Sequence, residues 1–247
     1  MRRILVAAAL LFAWAVSPDS TRAQEPAGKK LIVCSTTQTA DFARQVVGDR
    51  WEVRSILPAG ADPHQYVTRP GDARLVARAD LCVDNGLHLE GGDWMKVLAK
   101  TAGKPLISCT NGIKPLELLE TGKDGKPATI DDPHAWFSPR NAAIYTQNIL
   151  KAVTKLDPAH AAEYRARAEF YLDQLRSLHA WIERRFNDVP PAKRVLVTSH
   201  DAFNYFCREY KFKSAAPTGW STGEEVGGGI TPQRRKQVIE SIRSFGV

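Results

Sequence analysis

Short apolar runs alternate with amphipathic stretches along the first half of this chain. Lys30–Ser35, Trp51–Leu57, Leu81–Asp84 and Leu106–Cys109 read as strands. Between them, Ala40–Val47 reads as a helix closed by Gly48, and Trp94–Thr101 as one stopped by Gly103. Pro70 opens a third helix through Ala79, at the position where a missing N–H is tolerated. Asn85-Gly86 marks the turn after the third strand. Repeating β-α units of this kind predict a parallel sheet covered by helices.

The second half has a longer rhythm. Glu117–Asp131 is a polar connection carrying Gly122, Gly125 and Pro127. Pro139 then starts a helix with Tyr145, Ile149, Val153 and Leu156 on one face, and Asp157-Pro158 breaks it. In the next helix Tyr164, Ala168, Tyr171, Leu175, Leu178, Ile182 and Phe186 recur at intervals of four and three. From Pro158 to Asn187 it would span about 45 Å at the standard rise, a stiff strut ended by Pro190-Pro191. A second β/α region follows. Arg194–Thr198 is its strand, Asp201–Tyr210 its helix and Lys213–Ala216 a further short strand. Thr222–Gly229 is a glycine-rich loop, and Thr231-Pro232 opens a helix to about Ser244.

The expected fold class is therefore α/β: two lobes with parallel sheets flanked by helices, joined by one long rigid helix. Residues 24–157 form the first lobe, 158–190 the linking helix and 191–247 the second lobe. Its 57 residues are close to the lower limit for an independent core. The chain stops at Gly246-Val247, where the next strand is due, so the second lobe is expected to be incomplete.

The N-terminus changes the picture of where the protein works. Arg2-Arg3 precede an apolar run, Ile4 to Val16, too short to span a bilayer. Thr21-Arg22-Ala23 offers small residues for cleavage before Gln24. Residues 1–23 are read as a secretory signal peptide, and the mature chain as periplasmic. No cysteine ends the apolar run as a lipid anchor would require. Losing 1–23 removes three Arg and one Asp, taking the formal charge from +7 to +5. No basic run interleaved with aromatics appears, which argues against nucleic acid as a partner. Cys34, Cys82, Cys109 and Cys207 could make two disulfides in an exported protein. They sit in apolar or helical runs, however, and buried thiols are the favoured reading.

Candidate chemistry lies in three histidines. Asp62-Pro63-His64-Gln65-Tyr66 and Asp132-Pro133-His134-Ala135-Trp136 share an Asp-Pro-His tripeptide with an aromatic two residues on. Proline fixes its own φ and biases the preceding Asp to extended backbone, so each copy is a rigid corner bearing an imidazole. His200 directly follows the Arg194–Thr198 strand, at the end where open α/β sheets place ligand groups. Taken alone, any one of these is more often a surface or hydrogen-bonded histidine than a ligand. Together, on three separated loops, they point to a metal ion. His160 and His179 fall in the helical pattern and are read as solvated, and His88 is ambiguous. The Thr222–Gly229 loop lacks the lysine of a phosphate cradle.

At this point the residues resemble the periplasmic metal-binding proteins of ABC importers, the zinc- and manganese-specific cluster (TroA/ZnuA/PsaA-like). The likeness runs in order through Ser35-Thr36-Thr37, the first Asp-Pro-His motif with Pro70 and Asp72, and Asn85-Gly86-Leu87-His88-Leu89-Glu90. It continues through the second motif, Leu156-Asp157-Pro158 and Ser199-His200-Asp201-Ala202-Phe203-Asn204-Tyr205-Phe206. The resemblance implies two lobes with the ion in the cleft between them. His64 and His134 would come from the first lobe, His200 from the second, and a fourth carboxylate ligand from beyond the end of this chain. The 117–131 connection lacks the His-rich loop of many zinc-specific relatives.

The implied function is a monomeric receptor for Zn²⁺ first and Mn²⁺ second, delivering the ion to a membrane permease without turnover. Imidazole is a borderline ligand suited to zinc, whereas manganese prefers more oxygen. Two rivals are a His₃-zinc hydrolase or lyase, since three histidines plus water is also a catalytic arrangement, and a non-functional truncated remnant.

Overall fold

The structure, a computed structural model, describes residues 28–121, 127–198 and 201–215, together with helical positions 236, 239, 240, 243 and 244. The signal segment, His200, the Thr222–Gly229 loop and the start of the last helix lie outside the described residues.

Four strands form one parallel sheet: β1 (Lys30–Cys34), β2 (Trp51–Ser55), β3 (Leu81–Asp84) and β4 (Leu106–Ser108), in the order β2-β1-β3-β4. Lys30 lies opposite Trp51 on one side of β1, and Ile32 opposite Leu81 on the other. The run Leu31-Ile32-Val33-Cys34 has no polar position because both faces of this sheet are covered. Successive side chains alternate between two cores. Ile32 and Cys34 face the helices α1 (Thr37–Val47), α4 (Pro139–Leu156) and α5 (Ala161–Asn187). Leu31 and Val33 face α2 (Pro70–Ala77) and α3 (Trp94–Thr101).

Helix ends follow their sequence signals. Thr36 caps α1 through a reciprocal pair with Thr39, and Gly48 closes it at φ 54°. Ser138 caps α4, with Pro139 behind it. Tyr145, Ile149 and Val153 of α4 are wholly buried, as their spacing predicts.

The 27 residues of α5 span about 40 Å at the standard rise. Pro158–His160 forms a separate 3₁₀ turn before it. Tyr164, Ala168 and Leu175 are buried against the first sheet's helices. The stripe then rotates, leaving Leu178 exposed while the His179 ring turns inward. The expectation of a solvated His179 is corrected accordingly. Its Nδ1 lies 3.1 Å from the Tyr210 hydroxyl and its Nε2 3.1 Å from Arg140 Nη2, because α5 here leaves the first core to cover α6 (Asn204–Tyr210). Phe186 continues that contact against Phe206, Tyr210 and Phe212. His160 is half-exposed and bonded to Asp157 at 2.9 Å.

Two other expectations change. The 117–131 connection is an antiparallel hairpin, β5 (Glu117–Thr121) with β6 (Pro127–Asp131). The expected strands in the second region shrink to a two-residue parallel pair, β7 (Val195–Leu196) and β8 (Lys213–Ser214). The chain is α/β, with parallel sheets and one long helix. All four cysteines are reduced and buried. Burial pushes the thiols of Cys82 and Cys207 up to about 11 and those of Cys34 and Cys109 further, so all four stay protonated.

Candidate metal centre

The carboxyl ends of β1, β2, β3 and β4 open at one rim of the sheet, and both Asp-Pro-His corners sit there. In each, the Asp side chain accepts the backbone N–H of the histidine two residues on, from His64 to Asp62 Oδ1 at 2.8 Å and from His134 to Asp132 Oδ1 at 2.9 Å. These are Asx turns, built identically twice. The two imidazoles come together with ring centroids 5.4 Å apart. They share the wall of a cleft of about 410 Å³ with Thr36, Leu89 and Trp136, and with Thr198, Ala202 and Phe203 from the second region.

The corners differ in what stands behind them. His134 is buried, and its Nδ1 lies 2.8 Å from Asp132 Oδ1. A carboxylate only accepts, so Nδ1 carries the proton and Nε2 keeps its lone pair for a ligand. His64 is half-buried. Asp62 Oδ2 has no hydrogen-bond partner among the described residues. Backbone contacts help to hold the first corner. Pro63 O accepts from Gly91 N at 3.3 Å and from Trp94 Nε1 at 3.4 Å. A Cβ on Gly91 would fall 1.9 Å from His64 O, so only glycine lets the loop come this close. Tyr66 packs on Trp94 and donates to Asp72 Oδ2 at 2.8 Å, tying the motif to the start of α2.

A buried polar hub stands behind the second corner. Asn85 Nδ2 donates to Pro133 O at 2.9 Å, and Asn85 Oδ1 accepts from the Tyr145 hydroxyl at 2.5 Å. Glu90 Oε1 accepts from Ser35 Oγ at 2.5 Å and from Asn85 N at 2.8 Å. Sequence reasoning placed Ser35, Asn85 and Glu90 only as members of ordered motifs, without roles. Polar residues directly after apolar strands were the one available signal.

Asp84 and Glu90 are two buried carboxyls in this hub. Burial, with the neighbouring Glu90 charge, pushes Asp84 up to about 7, and burial raises Glu90 as well. Both hold protons more tightly folded than unfolded. The Asp84 contribution to stability is complete below the ordinary carboxylate range near ~4 and is lost as pH rises through about 7; that of Glu90 falls in the same direction. Asp84→Asn is therefore expected to raise the melting temperature at pH 8 and to flatten its decline between pH 5 and 8. Thermal melts across that range check it, and an unchanged slope counts against it.

Of the predicted ligands, His64 and His134 converge, and His200 lies outside the described residues. Thr198 and Ala202, two residues to either side of it, both line the cleft. Among the described residues no three His, Cys, Asp or Glu side chains form a metal-holding group. The His88 ring is exposed beside Asp93 on a left-handed turn and takes no part.

Residues 32–247 match the family described as zinc-uptake complex component A, periplasmic. The chain is 32% identical to the manganese ABC transporter substrate-binding lipoprotein PsaA of Streptococcus pneumoniae, over 97% of this chain and 76% of that protein. It is similar to the Mn-bound periplasmic metal binding protein of Candidatus Liberibacter asiaticus (TM-score 0.72, 31% identity, 89% of this chain and 77% of that one). It is also similar to the periplasmic zinc binding protein TroA of Treponema pallidum (TM-score 0.74, 26% identity, 89% and 76%). The chain spans about three quarters of the length of these relatives.

Proposed function

The chain belongs to the periplasmic zinc-uptake component A family, and from that premise we propose that it captures Zn²⁺, with Mn²⁺ second, between two lobes and delivers it to an ABC permease. It is an extracytoplasmic substrate-binding protein of a metal ABC transporter. The family binds solutes and is not enzymatic, which sets aside the hydrolase or lyase alternative.

The observation that carries the proposal is the convergence of two identically built corners, their rings 5.4 Å apart on one cleft wall. In this reading His64 and His134 bind through nitrogen from residues 24–157, the first lobe. His200 closes the site from residues 191–247, the second lobe, and 158–190 is the helix between them. Residues 1–23 direct export and are removed. Zinc is ranked ahead of manganese on donor chemistry alone, because imidazoles suit zinc at about 2.0–2.1 Å and manganese favours oxygen. The manganese named for PsaA and the zinc named for TroA keep both ions in play.

A ligand that binds only the folded state raises stability by about 2.7 kcal/mol at a hundredfold excess over Kd. For a chain of this size that is roughly 5–10 °C in melting temperature. Melts with Zn²⁺ and with Mn²⁺ are expected to show such a shift, larger for zinc. No shift with either ion would overturn the receptor reading and favour the remnant. A larger shift with manganese would reverse the ranking.

A further inference from the structure

Asp132 is completely buried and is tied to both regions of the chain. Its Oδ1 accepts from His134 N and lies 2.8 Å from His134 Nδ1. Its Oδ2 accepts from Asn204 Nδ2, at the start of α6, at 3.1 Å. The neighbouring Tyr205 donates to Asp132 O at 2.8 Å and accepts from Leu116 N at 3.1 Å, fixing α6 to the first sheet's core. Phe203 stacks on Phe137 with centroids 4.1 Å apart. The equivalent oxygen of the other corner, Asp62 Oδ2, has no such donor among the described residues.

We infer that Asn204 is a positioning residue for metal capture: its carboxamide holds the Asp132 carboxylate in the plane that keeps His134 as the Nδ1–H form with Nε2 aimed at the ion. The inference rests on the receptor reading of the same site. A carboxylate with one oxygen on imidazole and the other on a fixed donor cannot rotate, and the ring it orients loses its alternatives. Asn204 lies on the segment that also carries His200. One amide thus couples the placement of that segment to the chemistry of the imidazole on the opposite wall. Tyr205 does a different job. Its hydroxyl holds backbone, so it anchors α6 without touching the carboxylate.

The test uses the full chain with three variants: Asn204→Ala, Asn204→Gln (which retains the carboxamide) and Tyr205→Phe. Nitrogen NMR of histidine-labelled, metal-free protein reads the His134 tautomer, and calorimetry reads zinc affinity. In the wild type, His134 is expected wholly as Nδ1–H. Asn204→Ala should introduce the Nε2–H form and weaken zinc about tenfold, the lower end for outer-shell partners. Asn204→Gln should restore most of both. Tyr205→Phe should lower the melting temperature while leaving the tautomer unchanged. An Asn204→Ala protein with wild-type tautomer and affinity would overturn the inference, as would a tautomer change of equal size in Tyr205→Phe. If the wild type binds no zinc, the receptor reading fails by itself, and the metal-free tautomer measurement still decides whether Asn204 sets the ring.

Discussion

Zinc should no longer raise the melting temperature of His134→Ala, and the metal-free variant should already melt several degrees below the wild type. The two losses have separate causes. Removing the imidazole deletes a nitrogen donor from the cleft, which should cost more than the roughly 10–100-fold expected for an outer partner. It also takes one donor from Asp132 Oδ1 in a fully buried place, where a lost partner costs about 1–3 kcal/mol. His64→Ala makes the control. It should abolish the zinc shift equally but move the metal-free melt less, because the His64 ring is only half-buried. A zinc shift that survives in His134→Ala would remove that ring from the binding site.

The largest purely structural effect is expected at Asn85. Asn85→Ala deletes the bonds to Gly86 O, Pro133 O and the Tyr145 hydroxyl, all of them buried. It strands at least two buried polar groups, at about 1–3 kcal/mol each. With the cavity left behind, the total is about 3–5 kcal/mol, on the order of 10 °C in melting temperature. Pairing Asn85→Leu with Tyr145→Phe should recover the part that comes from the stranded hydroxyl, while Pro133 O and Gly86 O still lose their donor. A double-mutant cycle in urea measures the coupling. A cost below 1 kcal/mol for Asn85→Ala would show that Pro133 is held by other means.

How much of this was legible before the coordinates varied with how local the cause was. The first sheet was readable strand by strand, because Leu31–Cys34 and Leu81–Val83 are apolar throughout and their neighbours carry helix periodicity. The β5–β6 hairpin was not. Its residues include charged ones, and Gly122, Gly125 and Pro127 gave the stretch the composition of a loop, although Asp124-Gly125 is a hairpin turn pair. In the second region, Arg194–Thr198 has the composition of a strand, but only Val195 and Leu196 pair. Pairing depends on a neighbour, and composition says nothing of that. His179 was misplaced because a stripe of period 3.6 assumes one partner for the whole helix, and α5 changes partners along its length. At the site, the two Asp-Pro-His repeats announced themselves, since proline and the Asx turn act within three residues. Asn204 could not be read, because it meets Asp132 across 72 positions of chain.

The four sealed thiols bear on how the protein reaches its working state. An oxidant outside the folded molecule finds no sulfur to attack, because Cys34, Cys82, Cys109 and Cys207 are all buried and protonated. The newly exported, extended chain presents all of them at once. Oxidising surroundings should therefore leave finished molecules untouched and lower the yield of those still maturing, so that sheet closure races against mispaired disulfides.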